Sequence, residues 1–228
     1  MNDALIQAQD LSRSYRTGRE QISVLRGLSL DLRRGEAVAV IGPSGSGKST
    51  LLNLLNGLLA PDSGQLRLFG RDRSQLNDDD WAELRRTRIA TLFQDGNLIP
   101  TLTVARNIVF RAGLAGLQEH DGEILLERLG IADTAHRYPD QLSGGQRQRA
   151  ALACAFVMRP ELILADEPTG SLDYATAKRV APLFFDAIRE RALGALIVTH
   201  NPELAQRCDQ VLELREGALR PWDSALSS

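Results

Sequence analysis

The sequence predicts an α/β fold with a mainly parallel sheet, because strand-like and helix-like stretches alternate along much of the chain. Residues 36–41 form a short, β-branched apolar run, which is typical of a strand buried on both faces. A glycine-rich turn follows this run, and a leucine-rich stretch with helical spacing covers 48–56. Between residues 95 and 158 the patterns are helical only, which predicts a helical lobe inserted into the α/β part.

The other elements are predicted from shorter patterns. Leu28, Leu30 and Leu32 alternate with polar residues, as in a strand with one buried face, and we expect an antiparallel β portion near the N-terminus. Further strands are expected at 89–93, 162–165 and 195–199, and helices at 104–114, 123–129 and 147–158. We expect one domain, residues 1–228, whose α/β core (1–94 and 159–220) carries a helical lobe (95–158).

Composition excludes several classes of protein. The 228 residues include 27 basic and 29 acidic ones, a formal net charge of −2, so nothing points to nucleic acid as a partner. Cys154 and Cys208 match no metal-binding spacing and fit free thiols in a reducing compartment, although one disulfide stays open at this point. The longest apolar run, 150–158, is far shorter than the ~20 residues that span a bilayer, and the N-terminus lacks a signal-peptide pattern. We therefore expect a soluble, intracellular protein.

The turn after the first buried strand has the composition of a phosphate-binding loop. Its residues fit G-x-x-x-x-G-K-[ST] between a strand and a helix. Phosphate oxygens need several backbone N–H groups at once, which glycines leave accessible, and the helix N-terminus adds its positive dipole end. Lys48 is expected to reach the β- and γ-phosphates of a nucleotide, and the Ser49 hydroxyl to bind Mg²⁺. The predicted nucleotide-binding residues are Gly42, Pro43, Ser44, Gly45, Ser46, Gly47, Lys48, Ser49 and Thr50.

Two carboxylates follow a second buried strand. Asp166 and Glu167 come at the carboxyl end of the strand predicted at 162–165, where open α/β sheets bind their ligands. We expect Asp166 to hold Mg²⁺ through its water shell and Glu167 to act as the general base for an attacking water. Together with the phosphate-binding loop, the pair indicates a P-loop nucleoside triphosphatase core.

A third motif narrows the class of nucleotide-binding protein. Leu142-Ser143-Gly144-Gly145-Gln146, followed by Arg147-Gln148-Arg149, resembles the signature sequence of the ATP-binding cassette (ABC) ATPases. The resemblance covers nearly the whole chain, with the further motifs in the family's order. It implies that Tyr15 stacks on adenine, that Gln94 senses Mg²⁺ and the attacking water, and that His200 donates to the γ-phosphate. Asp173, in Ser171-Leu172-Asp173, matches the D-loop residue that bridges to a partner cassette.

The resemblance also implies how the signature works. Ser143, Gly144 and Gly145 precede the helix expected from 147, so they form a second anion site at a helix N-terminus. In the family two cassettes pack head to tail with two ATP molecules between them, and the signature contacts the partner's ATP. Cys154 departs from the family, which usually has arginine at this point of the helix.

Two stretches of the chain are similar in sequence to one group within the family. Residues 164–173, with Gly170, and residues 97–104 resemble the lipoprotein-release, macrolide-export and cell-division cassettes. This resemblance implies an ATPase subunit that powers a transmembrane permease subunit from the cytoplasmic face of the inner or plasma membrane. An amino-acid-type importer subunit and a soluble, non-transport cassette ATPase remain as alternatives, whereas a P-loop kinase would leave the 142–146 motif unexplained.

Overall fold

A computed structural model describes residues 4–18, 20–93, 98–170 and 172–222. The strands and helices that it contains are as follows. The strands are β1 (Ala4–Thr17), β2 (Glu20–Arg33), β3 (Ala37–Ile41), β4 (Ser63–Leu68), β5 (Arg71–Asp72), β6 (Ile89–Leu92), β7 (Leu162–Asp166), β8 (Gly194–Thr199), β9 (Gln210–Arg215) and β10 (Ala218–Pro221). The helices are α1 (Lys48–Leu55), α2 (Asp78–Thr87), α3 (Val104–Leu114), α4 (Gly122–Arg128), α5 (Gly144–Val157), α6 (Tyr174–Glu190) and α7 (Pro202–Ala205), with short 3-10 turns at Arg73–Gln75, Ala132–Thr134 and Pro139–Gln141.

The strands form two sheets. The first is antiparallel, in the order β2-β1-β4-β5, and in β2 the residues Leu28, Leu30 and Leu32 are buried while their neighbours are exposed. The second has the order β10-β9-β3-β8-β7-β6, and all its pairs are parallel except β10 with β9. The predicted α/β fold with an antiparallel N-terminal portion and a mainly parallel sheet is confirmed.

The helices between β6 and β7 pack into the same apolar core as the parallel sheet. Ile108 of α3 and Leu125 of α4 belong to one buried cluster with Ile163 of β7 and Phe184 of α6. Helix α5 joins the helical region to the core beside the parallel sheet, since the centres of the Phe156 ring in α5 and the Phe184 ring in α6 are 5.9 Å apart. The described part of this region, 98–157, holds helices and turns but no strand.

The start of α5 differs from the prediction. The helix begins at Gly144, not at residue 147, because Ser143 caps it: the Ser143 Oγ accepts from Gln146 N at 3.2 Å, and the Gln146 side chain accepts from Ser143 N at 3.0 Å. This reciprocal pair is a capping box, whose S-x-x-Q spacing is readable in the sequence. Gly144 and Gly145 therefore form the first turn of the helix instead of preceding it.

No helix in the described ranges is long and apolar enough to cross a membrane.

The two cysteines are free in the structure, so the disulfide left open by the sequence is not formed. Cys154 is 4% exposed within α5, and its burial raises the thiol pKa to about 12. Burial likewise raises the pKa of the Cys208 thiol to about 12, and Cys208 is only partly buried. Both thiols are therefore protonated at neutral pH.

Thiol labelling tests this burial. In a Cys208→Ser variant we expect the remaining thiol, Cys154, to react with a thiol reagent at pH 8 about a thousandfold more slowly than in the unfolded chain, since the thiolate fraction falls tenfold per pKa unit. Cys154→Ser is the matched variant, and its partly exposed Cys208 should label faster than Cys154. Rapid stoichiometric labelling of folded Cys208→Ser protein would contradict the burial. Both measurements follow absorbance during reaction with a chromogenic disulfide.

Candidate nucleotide site

Three neighbouring parallel strands place the predicted site residues at one edge of the sheet. Ile41, the last residue of β3, pairs with Thr199 at the end of β8, and Asp166 at the end of β7 pairs with Val198. The loop after β3, the carboxylates of Asp166 and Glu167 at the end of β7, and His200 after β8 therefore emerge side by side. This is the edge at which open α/β sheets bind ligands.

The loop after β3 depends on its glycines for reasons of packing and conformation. A Cβ on Gly42 would lie 2.5 Å from the carbonyl oxygen of Leu214 in β9, so β9 closes the back of the loop. Gly47 has φ 107°, where side chains are disfavoured, and a Cβ there would lie 2.9 Å from Val24. From the sequence, these glycines are predicted for phosphate access alone. The structure adds that the protein itself leaves no room for a side chain at either position.

The Lys48 side chain folds over this loop. Its Nζ donates to the carbonyl oxygens of Gly42 at 2.8 Å and Pro43 at 2.9 Å. Lys48 is also the first residue of α1, after the Gly47 cap, so the unpaired N–H groups of the first helical turn and the ammonium group share one end of the helix. This arrangement suits a polyanion such as a nucleotide phosphate chain.

Ser49 and Asp166 are adjacent at the floor of the site. The Ser49 hydroxyl donates to Asp166 Oδ2 at 3.2 Å. Burial raises the pKa of Asp166, and the nearby Glu167 charge adds to the rise, while the Ser49 hydrogen bond and the Lys48 charge oppose it. A hydroxyl and a carboxylate are oxygen ligands of the kind that Mg²⁺ prefers, so this pair fits a Mg²⁺ that also contacts phosphate and water.

Glu167 lies in a constrained backbone position with both carboxylate oxygens engaged. Its φ is 49°, unusual for a residue with a side chain, and it is 8% exposed. Oε2 accepts from the Thr199 hydroxyl at 2.7 Å, and Oε1 accepts from His200 N at 2.7 Å. Oε1 also lies 2.6 Å from His200 Nδ1, while the His200 side chain is 76% exposed. The structure thus joins Glu167 and His200, two of the three predicted catalytic residues, directly, and the third is Gln94.

These groups surround one cavity of about 460 Å³, within the usual range for ligand pockets. The predicted residues Lys48, Asp166, Glu167 and His200 meet in it, while Val24 of β2 was missed by the sequence analysis. Val24 belongs to a different sheet, and only the packing of β2 against the loop brings it there. The lining residues are Val24, Gly42, Ser44, Gly45, Gly47, Lys48, Ser49, Thr50, Asp166, Glu167 and His200.

Two further site residues were predicted, Tyr15 and Gln94, and the structure describes only Tyr15. The Tyr15 hydroxyl lies 3.4 Å from Thr50 Oγ1, so the ring borders the phosphate-binding loop. The Arg13 guanidinium lies 5.4 Å from the centre of the Tyr15 ring. Gln94 is outside the described residues.

The signature residues form the N-terminal end of α5. Because Ser143 and Gln146 cap each other, the first two helical N–H groups, those of Gly144 and Gly145, are the ones left without an acceptor in their own helix. Leu142, also in the signature, is buried. None of these five residues is among the described residues that line the cavity, so within one chain the motif does not contact the same site.

Asp173, the predicted D-loop residue, caps α6. Its Oδ1 accepts from Thr176 N at 3.0 Å, and the hydrogen bonds from Thr176 lower the pKa of the exposed Asp173 carboxyl. The carboxylate therefore has a structural role within this chain at the start of a 17-residue helix.

The parallel sheet and the loop–carboxylate–histidine cavity at its edge define a P-loop nucleotide-binding protein. The chain belongs to the ABC transporter family, whose model, described as "ABC transporter", matches residues 25–170, and it is an ATP-binding and ATP-hydrolysing subunit. The predicted likeness to the lipoprotein-release and macrolide-export group is confirmed.

Relatives and solved structures give the extent of the similarity. The lipoprotein-releasing system ATP-binding protein LolD of Novosphingobium aromaticivorans is 44% identical over 223 residues, which cover 96% of this chain and 100% of LolD. The macrolide export ATP-binding/permease protein MacB of Shigella flexneri is 42% identical over 219 residues, covering 94% of this chain but 34% of MacB. The dimeric structure of MJ0796, a bacterial ABC transporter cassette, superposes with a TM-score of 0.86 at 34% identity, covering 94% of this chain and 96% of MJ0796. A dimeric post-hydrolysis state of the same cassette, bound to ADP and Pi, matches with the same values.

Proposed function

We propose that this chain hydrolyses Mg²⁺-bound ATP to power a lipoprotein-releasing type of transporter. The observation that carries the proposal is the single cavity in which a lysine, two carboxylates and a histidine meet beside a helix N-terminus. The high identity to LolD along the length of both chains supports lipoprotein release as the transport step.

Each predicted site residue has a role that its chemistry suits. The backbone N–H groups of residues 42 and 44–50 and the Lys48 ammonium bind the phosphates, and Tyr15 provides an aromatic face for adenine. Ser49 and Gln94, with Asp166 acting through the water shell of the ion, would hold the Mg²⁺, which would neutralise phosphate charge. Glu167 accepts a proton from the attacking water, and His200 orients the carboxylate through Nδ1 while it contacts the γ-phosphate.

The signature completes the site of a second copy. The N–H groups of Gly144 and Gly145 have no acceptor among the described residues, and their helix N-terminus does not line the chain's own cavity, which fits an anion held by a second copy. The dimeric MJ0796 cassettes support a head-to-tail pair with two ATP molecules between the copies. Asp173, at the cap of α6, is assigned to the contact between copies.

Mixing two inactive variants tests the shared sites. Ser143→Arg blocks the signature end and Lys48→Ala removes the phosphate lysine, so each homodimer should be inactive. A mixed dimer keeps one intact site, built from Lys48 of one copy and Ser143 of the other. We expect an equimolar mixture to recover about a quarter of the wild-type ATPase rate, since random pairing makes half of the dimers mixed. Phosphate release is the measurement.

The control for this mixture is Ser143→Arg combined with a Ser143→Arg, Lys48→Ala double variant, which leaves no intact site in any pairing. Cross-linking shows whether mixed dimers form. If they form and the productive mixture is no more active than this control, the shared-site arrangement is wrong.

A permease is the expected partner of the ATPase. MacB is named as an ATP-binding/permease protein, so in that relative the two activities go together. We place the chain on the cytoplasmic face of the inner or plasma membrane, where ATP is available, bound to its permease. The segment 97–104, which follows Gln94 in the sequence and leads into α3, is assigned to this contact. Macrolide export is the second candidate, favoured by the 42% identity to MacB.

Reconstitution separates the two transport steps. The chain is incorporated into proteoliposomes with the permease encoded beside it, and ATP-dependent release of a labelled lipoprotein and uptake of a labelled macrolide are measured. We expect lipoprotein release with wild-type chain and none with Glu167→Gln. Macrolide transport without lipoprotein release would favour the second candidate, and neither activity with an ATP-hydrolysing complex would refute both.

We also propose that the chain is one domain with an α/β core (1–94 and 159–220) and a helical lobe (95–158). Two observations support this division: α3, α4 and α5 contact one another, and α5 runs from the signature into the core cluster.

A further inference from the structure

A buried glutamine in α5 contacts the loop that carries the catalytic carboxylate. Gln148 is 2% exposed, and its Nε2 donates to the carbonyl oxygen of Pro168 at 3.1 Å. Pro168 is itself buried and directly follows Glu167. Gln148 lies outside the five-residue signature and has no role in the function proposed above.

The loop after β7 is held by hydrogen bonds at successive carbonyl groups. Glu167 O accepts from Gly170 N at 2.9 Å, and Thr169 O accepts from Leu172 N at 3.1 Å. Between them, the Pro168 carbonyl accepts from the Gln148 side chain. A buried carbonyl without a donor is costly, so the amide of Gln148 fixes the position of the peptide next to Glu167. The backbone of Glu167 is held at φ 49°, so a shift of the peptide between Glu167 and Pro168 would redirect the Glu167 carboxylate.

The same helix begins with the signature. Gly145 and Gln148 are three residues apart, which corresponds to a rise of about 4.5 Å, and the Ser143–Gln146 capping box makes this turn rigid. One short helical segment therefore carries the N–H groups offered to the partner's ATP and the amide that fixes this chain's own catalytic loop.

We propose that Gln148 is a positioning residue that keeps the Glu167 carboxylate in a fixed position relative to the signature end of α5. This hydrogen bond lies within one chain, so Gln148 acts on the site whose Glu167 its own chain supplies. The first statement concerns the position of Glu167; the second, that Gln148 acts in its own chain, rests on the proposed shared sites.

Steady-state kinetics test the first statement. Gln148→Met keeps the side-chain length without the donor, and Gln148→Asn keeps the amide but is too short to reach Pro168 O. For both we expect kcat to fall about tenfold with KM for ATP within about twofold of the wild-type value, because the catalytic group and not the phosphate loop is displaced. Gln118→Met, at an exposed position in the same lobe, is the matched control and should have wild-type kinetics.

Mixed dimers with one working site test the second statement. Ser143→Arg chains paired with Lys48→Ala chains leave one site, which uses Glu167 of the Ser143→Arg chain and the signature of the Lys48→Ala chain. Gln148→Met is added to one chain or the other. We expect about a tenfold loss when it is in the Ser143→Arg chain, which supplies Glu167, and less than a twofold loss when it is in the other.

The outcomes separate this inference from the proposed function. An equal loss in both arrangements, or a larger one in the signature-donating chain, would overturn the positioning role. If the parental pair is inactive although mixed dimers form, the shared sites fail, and the single-variant kinetics still decide the first statement: an unchanged kcat, or a rise in KM that accounts for the loss, would refute it. ATP binding by the isolated Gln148→Met chain, equal to that of wild type, confirms that the variant is folded.

Discussion

Replacing Glu167 by glutamine should reduce ATP turnover by about 10²- to 10⁴-fold, the usual contribution of a general base. The substitution keeps the shape of the side chain, and the Thr199 and His200 contacts can hold the amide in place. What is lost is the negative oxygen that takes a proton from water. Because Lys48 and the loop remain, ATP should still bind, and the measurement is phosphate release at saturating ATP.

A second readout of the same variant is its oligomeric state. Unhydrolysed ATP should hold two copies together, so gel filtration of Glu167→Gln with ATP should give a dimer where the wild type gives a monomer. Glu203→Gln, at an exposed carboxylate on α7 near His200, is the control and should behave as wild type. Turnover near the wild-type rate in Glu167→Gln would show that another group is the base. A persistent monomer with bound ATP would argue against the dimer.

Loss of the Lys48 ammonium should weaken ATP binding itself. A charge-assisted hydrogen bond contributes about 1.5–3 kcal/mol, so losing two phosphate contacts in Lys48→Ala should raise the Kd for ATP by about 10²- to 10⁴-fold. The substitution also removes the hydrogen bonds to Gly42 O and Pro43 O that brace the loop. Titration calorimetry on the monomer measures the effect without hydrolysis.

The composition of the chain provides the control for Lys48. The sequence contains only two lysines, and the other, Lys178, lies on the exposed Tyr174 ring at 5.1 Å. Lys178→Ala should bind ATP as the wild type does. Lys48→Arg keeps the charge but cannot fit a planar guanidinium between the two carbonyl groups, so it should also bind poorly. Unchanged affinity in Lys48→Ala would refute the assignment of the loop.

Local motifs account for the parts of the site that the sequence predicts. Residues 42–50, Asp166, Glu167 and His200 each follow a short apolar strand, and the parallel order of those strands brings them together. Thr199 and Gln148 were missed because their importance depends on partners far along the chain: Thr199 binds Glu167, and Gln148 binds Pro168. No local pattern encodes such pairings.

The fold shows the same division between local and distant causes. Helix α3 occurs at the predicted bounds, since its apolar spacing and its Thr103 cap are local. Helix α6 was missed because Pro182 interrupts its helical pattern, and packing of Phe184 and Phe185 against the core overrides that cost. The lengths of β1 and β2 were also not evident, since several register shifts between them break the alternation of apolar and polar residues.

The carbonyl of Leu214 behind Gly42 has a consequence for synthesis of the protein. The strand that leads into the phosphate loop is flanked on both sides by strands from the last third of the chain, β8 and β9. A nascent chain whose glycine loop has just been synthesised therefore still lacks the two strands that shape this loop. The loop can therefore take up its nucleotide-binding shape only after β8 and β9 have been synthesised.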